Sequence, residues 1–382
     1  MTGAEITARL KAEAKALGFE LAGACPAVAP DGVSKFFEWL NLGYAGEMDY
    51  LARRRDAYAH PEGVLPGARS LLVLAMNYRT TEPGPPKPGF GRVARYAWGA
   101  ADYHDLIHDR LEQLKQLLVR LAPGCAVRGV VDTAPLLERE FAVLAGLGWI
   151  GKNTLVLNQR LGSWFFLAVL LTDVELAYDE PSQTDHCGTC RACLDACPTG
   201  AFVDAYVLDA RRCLSYTTIE QRTLPGEELR RAQGDWLFGC DICQEVCPWN
   251  RRAPATDEPA FAPDPETEPI ELARLFDLDE AAFRRQFRHT PLWRPKRRGI
   301  LRNAALALGS QRYLPATGAL MRGLADAEPL VRAACAWALG QYATAAARLA
   351  LAERRKQEPV EEVQREIDAA LGVTGTATGT AY

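Results

Sequence analysis

Residues 187–198 read CGTCRACLDACP and residues 240–248 read CDICQEVCP, and together they carry seven cysteines in the spacing of a two-cluster bacterial ferredoxin. A 4Fe-4S cluster takes four thiolates, and in this pattern the cysteine before the proline ligates the other cluster. Cys187, Cys190 and Cys193 are therefore expected to share one cluster with Cys247, while Cys240 and Cys243 share the second with Cys197. The second run lacks the first cysteine of an uninterrupted repeat, and Cys213 fits as its replacement, displaced by the insertion 214–239. Eight of the eleven cysteines then fill two clusters. Zinc favours isolated Cys-x2-Cys pairs, often with histidine, and disulfides belong mainly to small secreted domains. Cys25, Cys125 and Cys335 lie outside the motifs and read as small buried hydrophobes.

The 382-residue chain is 48% hydrophobic and 24% charged, an ordinary globular composition for two or three domains. Met1–Glu20 mixes charges with Ile6, Leu10, Ala14 and Leu17 at helical spacing, so it reads as an amphipathic helix and not a signal peptide. No apolar run reaches the length of a membrane span. A reducing cytoplasm is the expected compartment and a monomer the expected state.

Up to residue 175, helical patterns alternate with the apolar runs 71–76, 127–131 and 165–171, which predicts an α/β domain. Within it, Thr81–Phe90 is rich in Pro and Gly and reads as a surface loop, and Thr133–Gly148 reads as a helix with Pro135 in its first turn. Asp132 then stands at a strand-to-helix junction, where its bland role is to cap that helix. Residues 176–252 are expected to form the ferredoxin-like domain, and the acidic, Pro-rich Ala253–Pro269 a linker. Beyond it Ala307-Leu308-Gly309, Ala338-Leu339-Gly340 and Ala370-Leu371-Gly372 recur at a period of 31 to 32 residues. That period predicts an α-helical, HEAT-like repeat domain over 270–373, with a disordered tail at 374–382.

Gly146-x4-Gly151-Lys152 falls one residue short of a phosphate-binding loop, because Asn153 stands where Mg2+ needs a hydroxyl, and it reads as a helix stop and tight turn. Asp102, His104 and His108 invite a metal reading, since His104 and His108 share one face of a predicted helix over 103–121, which has Leu106, Leu114, Leu117 and Leu121 among its buried positions. For His108 that amphipathic helix outweighs a metal site. Between Arg284 and Arg302 stand eight basic residues and no acidic one, in a protein of net charge −4. Such a patch suits phosphates, with Trp293 and His289 available for stacking, or balances the acidic residues of 257–280. Arg53-Arg54-Arg55 sits at a possible helix end, where cations are common.

The stretches RYAWGAADYH (95–104), VVDTAPLLERE (130–140), GLGWIGKNT (146–154), CGTCRACLDACPTGAF (187–202), CLSYTTIE (213–220), CDICQEVCPWN (240–250) and HTPLWRPKRRGILRNAALALG (289–309) together resemble the epoxyqueuosine reductases. The resemblance spans nearly the whole chain. It implies a cobalamin-dependent enzyme that reduces the epoxide of epoxyqueuosine, at the wobble position of certain tRNAs, to the alkene of queuosine. The first domain would then bind cobalamin, with no Asp-x-His-x-x-Gly motif required, and two 4Fe-4S clusters would bring electrons from a donor protein. The family's proton donor falls on Asp132, which for that role must be protonated near neutral pH and so desolvated. Cofactor contacts fall on Arg55, Arg95, Tyr96, Asn153, Ser163, Ser215 and Asp241, with Lys152 as a further candidate. Lys296, Arg297, Arg298 and Arg302 would grip the backbone of the tRNA anticodon stem-loop. Two competing readings are a reductive dehalogenase and a non-catalytic iron-sulfur carrier. The first usually carries an N-terminal twin-Arg signal, whereas the arginine run here is internal, at 53–55.

Overall fold

The computed structural model describes residues 1–264 and 268–372, so the expected tail lies outside the described residues. The chain divides into two compact units, each drawn from three segments. The first takes Met1–Glu82, Arg95–Cys213 and Asp241–Pro263; the second takes Pro83–Ala94, Leu214–Cys240 and the chain from Asp264 on. This differs from the expected boundaries at 175 and 252, because strand pairing ties distant segments together. Phe90–Val93 bonds both to Trp236–Phe238, in parallel, and to Ile270–Glu271, antiparallel. Such non-local pairing leaves no mark in composition.

The first unit is built on a four-stranded sheet of β1 (Leu21–Pro26), β2 (Ser70–Asn77), β3 (Val127–Val130) and β4 (Phe165–Thr172), in the order β1-β2-β4-β3. Every pairing in it is antiparallel, which corrects the parallel crossovers that an α/β reading implies. The misreading has a clear cause, since both faces are covered and β2 is buried throughout. Leu72, Leu74 and Met76 join one core with helices α1 (Gly3–Ala16) and α2 (Tyr103–Leu121). Leu71, Val73 and Ala75 join the other with α3 (Glu138–Leu144). Alternate side chains of a strand point to opposite faces, so one apolar run serves both layers.

In α1 the expected Ile6, Leu10 and Ala14 are buried, and Thr2 with Glu5 closes a capping box at its start. In α2 the buried line is Tyr103, Ile107, Leu111, Leu114 and Leu118, while Leu106, Leu117 and Leu121 pack at its border. Full burial of one such leucine is worth about 2 kcal/mol. The segment 253–263 is not a free linker: Ala253 and Phe261 enter the core, and Arg110 pairs with Glu258.

The second unit stacks helices α4 (Glu280–Phe287), α5 (Lys296–Gln311), α6 (Thr317–Gly323), α7 (Pro329–Tyr342), α8 (Ala345–Gln357) and α9 (Glu361–Leu371), with α5 on α7 and α7 on α9. The recurring Ala-Leu-Gly is the contact between them. A Cβ on Gly309 would come 2.9 Å from the Cα of Ala338, and one on Gly340 would come 3.0 Å from the Cα of Ala370. Each glycine thus admits the alanine of the following tripeptide. Among the described residues no helix is long and apolar enough to cross a membrane.

Candidate active site

After β3 the chain turns sharply at Asp132, whose φ of 39° lies in the left-handed region that a side chain disfavours. Two outside groups and one bond of its own hold the turn. The Asp132 N–H donates to Glu138 Oε1 at 2.8 Å, the first residue of α3. Arg54 Nη1 donates to the Thr133 carbonyl at 3.1 Å, and Thr133 N–H closes back onto the Val131 carbonyl at 2.5 Å. The expected helix over 133–148 begins only at Glu138, with Leu137 at its cap position, so Asp132 is not its cap. The carboxylate is thereby left for other work.

That carboxylate meets the first turn of α2. Tyr103 donates its hydroxyl to Asp132 Oδ2 at 2.5 Å, and His104 Nε2 lies 2.7 Å from Asp132 Oδ1. On the other side of the ring, His104 Nδ1 lies 2.6 Å from Asp102 Oδ1, and Asp102 also caps α2 by accepting the His104 N–H. Both ring nitrogens face carboxylate oxygens, so both must donate and the imidazole carries two protons. Burial alone would pull the His104 pKa down, yet the hydrogen bonds to Asp102 and Asp132 raise it to about 9. Tyr103 stacks between Phe166 and His104 at 4.0 and 4.1 Å between ring centres, which fixes its hydroxyl. Burial, and then the Asp132 charge, lift its pKa well above the phenol range, so it stays a donor.

The Asp132 side chain remains 46% exposed. Among the protein atoms its carboxylate is held by hydrogen bonds from Tyr103 and His104. Tyr103 and Glu138 were not singled out as site residues from sequence, and His104 was weighed there only as a metal ligand with Asp102 and His108. The usable signal was the order Asp102-Tyr103-His104 at a helix start, where Asp102 caps and the rings of Tyr103 and His104 stack on one another. His108, by contrast, is exposed.

The same unit carries a buried polar frame. Arg95 is 5% exposed and Asp241 3%; the Arg95 N–H donates to Asp241 Oδ2 at 2.7 Å, and its guanidinium lies on Glu82 and over the Trp164 ring. Ser163 Oγ accepts from Gln244 and Asn250 at 3.0 and 2.9 Å. A Cβ on Gly162, at φ 64°, would come 2.0 Å from Asn250 Oδ1, so only glycine admits that side chain. Asn153 is 4% exposed and its Nδ2 has no hydrogen-bond partner, nor has Nε of Arg95. Two buried donors without acceptors are the mark of a ligand's place.

Tyr96 packs its ring edge-on to Tyr103 and Phe166. Arg55 is tied to Asn41 and the Phe37 ring. Lys152 donates to the carbonyls of Gly188 and Cys190 at 2.6 and 3.0 Å, so its ammonium is spent on the first cysteine loop. Ser215 belongs to the second unit, on the helix Leu214–Ile219.

Two four-residue helices, Ala192–Asp195 and Ile242–Glu245, pack together and carry Cys193 and Cys243. Cys247 comes close enough to Cys187 and Cys190 that their charges raise its pKa, after burial has done so first, and it acts likewise on Cys193. The four thiols of the first expected set thus lie within reach of one another's charge, although among the described residues no group of three or more possible ligands is arranged to hold a metal ion. Trp149, Trp249 and Leu157 pack around them. Cys197 Sγ accepts the Ala201 N–H at 3.3 Å. Iron displaces thiol protons on binding, so cluster assembly releases them. All eleven cysteines are free of disulfides, and the donor set suits iron-sulfur clusters.

In the second unit the basic run splits. Arg302 is fully buried, with its guanidinium on the carbonyls of Thr217, Gln221 and Thr223, and cannot meet a nucleic acid. Arg297 is likewise turned inward, onto Asp326 and the Leu278 carbonyl. Arg284, Arg285, Arg288, Lys296 and Arg298 are exposed, and Lys296 sits 4.0 Å over the Trp293 ring.

Comparison with known proteins agrees with this arrangement. Residues 59–133 match the family model "Epoxyqueuosine reductase QueG, DUF1730", and residues 186–250 match "4Fe-4S double cluster binding domain", which contains all eight motif cysteines. The epoxyqueuosine reductase of Pseudomonas aeruginosa is 41% identical over 89% of this chain and 95% of its own. That of Escherichia coli is 38% identical over 88% and 89%. A crystal structure of epoxyqueuosine reductase with a tRNA-Tyr epoxyqueuosine-modified stem loop superposes with a TM-score of 0.90 at 30% identity, over 97% of this chain and 98% of that one. The Bacillus subtilis enzyme, with its catalytic aspartate loop swung out of the active site, gives a TM-score of 0.89 at 30% identity over 97% and 99%. The chain belongs to the epoxyqueuosine reductase family of oxidoreductases.

Proposed function

We propose that this protein reduces epoxyqueuosine to queuosine in tRNA, with Asp132 as the proton donor to the departing oxygen. The observation that carries the reading is the Asp102–His104–Asp132 hydrogen-bonded set, in which a doubly protonated imidazole backs the donor. Converting an epoxide to an alkene consumes two electrons and two protons and releases water. The Asp132 carboxylate takes the Nε2 proton of His104 across the 2.7 Å contact and passes it to the oxygen as the first carbon–oxygen bond breaks, and a second proton, taken up from solvent through the same pair, leaves with the oxygen as water when the second bond breaks. Tyr103 keeps the carboxyl oriented meanwhile.

Cobalamin, when bound, supplies a metal centre that gathers electrons singly from the clusters and delivers a pair. Asn153 Nδ2 and Arg95 Nε are the buried donors that would hold it, since its periphery is rich in amide carbonyls, and Asp241 and Ser163 hold those residues' surroundings in place. The clusters are assigned to Cys187, Cys190, Cys193 and Cys247, and to Cys197, Cys213, Cys240 and Cys243, supplied by a donor protein. The helices from α5 onward read as HEAT-like repeats. The exposed basic residues of α4 and of the start of α5 are the proposed contacts to tRNA phosphates. Lys296 and Arg298 remain in that set, whereas Arg297 and Arg302 leave it.

The test is an anaerobic single turnover with reductant, added cobalamin and epoxyqueuosine-containing tRNA, read by nucleoside mass spectrometry. Conversion that requires cobalamin and is lost in Asp132→Asn, with clusters intact, is the expected result. No conversion by a cluster-loaded wild-type protein would sink the reading.

A further inference from the structure

The Asp132 turn is held against its own preference. A non-glycine residue at φ 39° costs of order 1 kcal/mol or more, and Asp132 exposes half its side chain, so packing does not pin it. Something beyond the turn must therefore hold it in this chain.

We propose that Glu138 is the latch of the catalytic turn, a positioning residue that acts by accepting the Asp132 backbone N–H and so holds the Asp132 carboxylate against His104 and Tyr103. The inference rests on the role given to Asp132 above. Three observations carry it. The bond is 2.8 Å long and joins the turn to the first residue of α3, an element anchored in the core through Phe141 and Ala142. Glu138 does not cap α3, whose cap position carries no side-chain bond, so the carboxyl is committed to the turn and not to its own helix. The second strut, Arg54 to the Thr133 carbonyl, starts from an exposed side chain and is the weaker hold.

The chemistry of the latch needs an acceptor oxygen, not a charge. Burial, and next the charge of Asp132, raise the Glu138 pKa to about 8, so near neutrality its carboxyl is mostly protonated and accepts through its carbonyl oxygen. Glutamine offers the same oxygen at the same reach. Alanine offers none, and aspartate falls one methylene short.

The latch is tested on the full chain with its clusters loaded, by hydrogen exchange of the segment 131–137 and by single-turnover kinetics. In Glu138→Ala and Glu138→Asp, exchange of that segment should speed about fivefold to tenfold, the size of one lost hydrogen bond to a carboxyl group. The turnover rate should fall by up to the same factor with less than about a twofold change in KM for the tRNA, since exchange reads the open population of the turn and turnover the held one. Glu138→Gln should restore both quantities to within about twofold. Unchanged exchange in the Ala and Asp variants, or a Gln variant as impaired as Ala, overturns the proposal. The Asp variant keeps the test decisive if Ala fails to fold. Exchange needs no substrate, so a wild-type protein that fails to convert epoxyqueuosine would defeat the proposed reaction while the latch is still judged on its own.

Discussion

His104 Nε2 stands 2.7 Å from Asp132 Oδ1 while its Nδ1 stands 2.6 Å from Asp102 Oδ1, so a single imidazole bridges two carboxylates. Its pKa is raised from the ordinary 6.5 to about 9, which means the folded state holds the proton more tightly than the unfolded chain does. The stability this gives is fully present below pH 6.5 and is lost as pH rises through about 9.

The rate of the chemical step should follow the same proton. We expect a fall in single-turnover rate as pH climbs through about 9, and no such limb in His104→Gln, whose residual rate is lower throughout. Asp102→Asn should move the limb to lower pH, because one of the two carboxylates that raise the pKa is gone. A limb unmoved by both substitutions would remove His104 from the proton supply.

Lys152 bonds two carbonyls of the loop that carries Cys187 and Cys190. Lys152→Met should therefore loosen that loop: the first cluster should be lost faster in air, seen as bleaching of the iron-sulfur absorbance, and its potential should fall as a nearby positive charge disappears. Cobalamin affinity should change little. A large loss of cobalamin binding with stable clusters would return Lys152 to the cofactor.

Arg302 is buried, with three backbone carbonyls and the Asn303 side chain around its guanidinium. Arg302→Ala leaves those acceptors unpaired in a cavity, and should cost about 3 kcal/mol or more of stability. Thermal unfolding would report the loss. A variant of wild-type stability that binds tRNA poorly would contradict the buried role.

Replacing exposed Arg284, Arg285 and Arg288 together with Ala should weaken tRNA binding in a salt-dependent way. The slope of log affinity against log salt should shrink by about 2, at roughly 0.7 per phosphate contact on single-stranded RNA. Arg297→Ala, turned onto Asp326, should leave that slope as it is and lower stability instead. An unaltered slope in the triple variant would place the tRNA contacts elsewhere.

What the sequence determined by itself was chemistry written in short-range spacing. Cys187-x2-Cys190-x2-Cys193 dictates its cluster through local geometry, α1 follows from the periodicity of Ile6, Leu10 and Ala14, and the Ala-Leu-Gly period marks where helices touch. Asp132 was visible through a motif. Its neighbours were not, because His104 reaches it from another helix and Glu138 from beyond a turn that looked helical. Tertiary structure also decided that Arg302 lies inside although it sits in a basic run, since burial depends on which carbonyls the fold brings to it. It decided the antiparallel sheet, because a strand buried on both faces shows the same apolar run whichever way its neighbours point. Interactions between side chains a few residues apart are fixed by backbone geometry and can be read from the chain; those that join distant segments exist only once the fold has closed the loops between them.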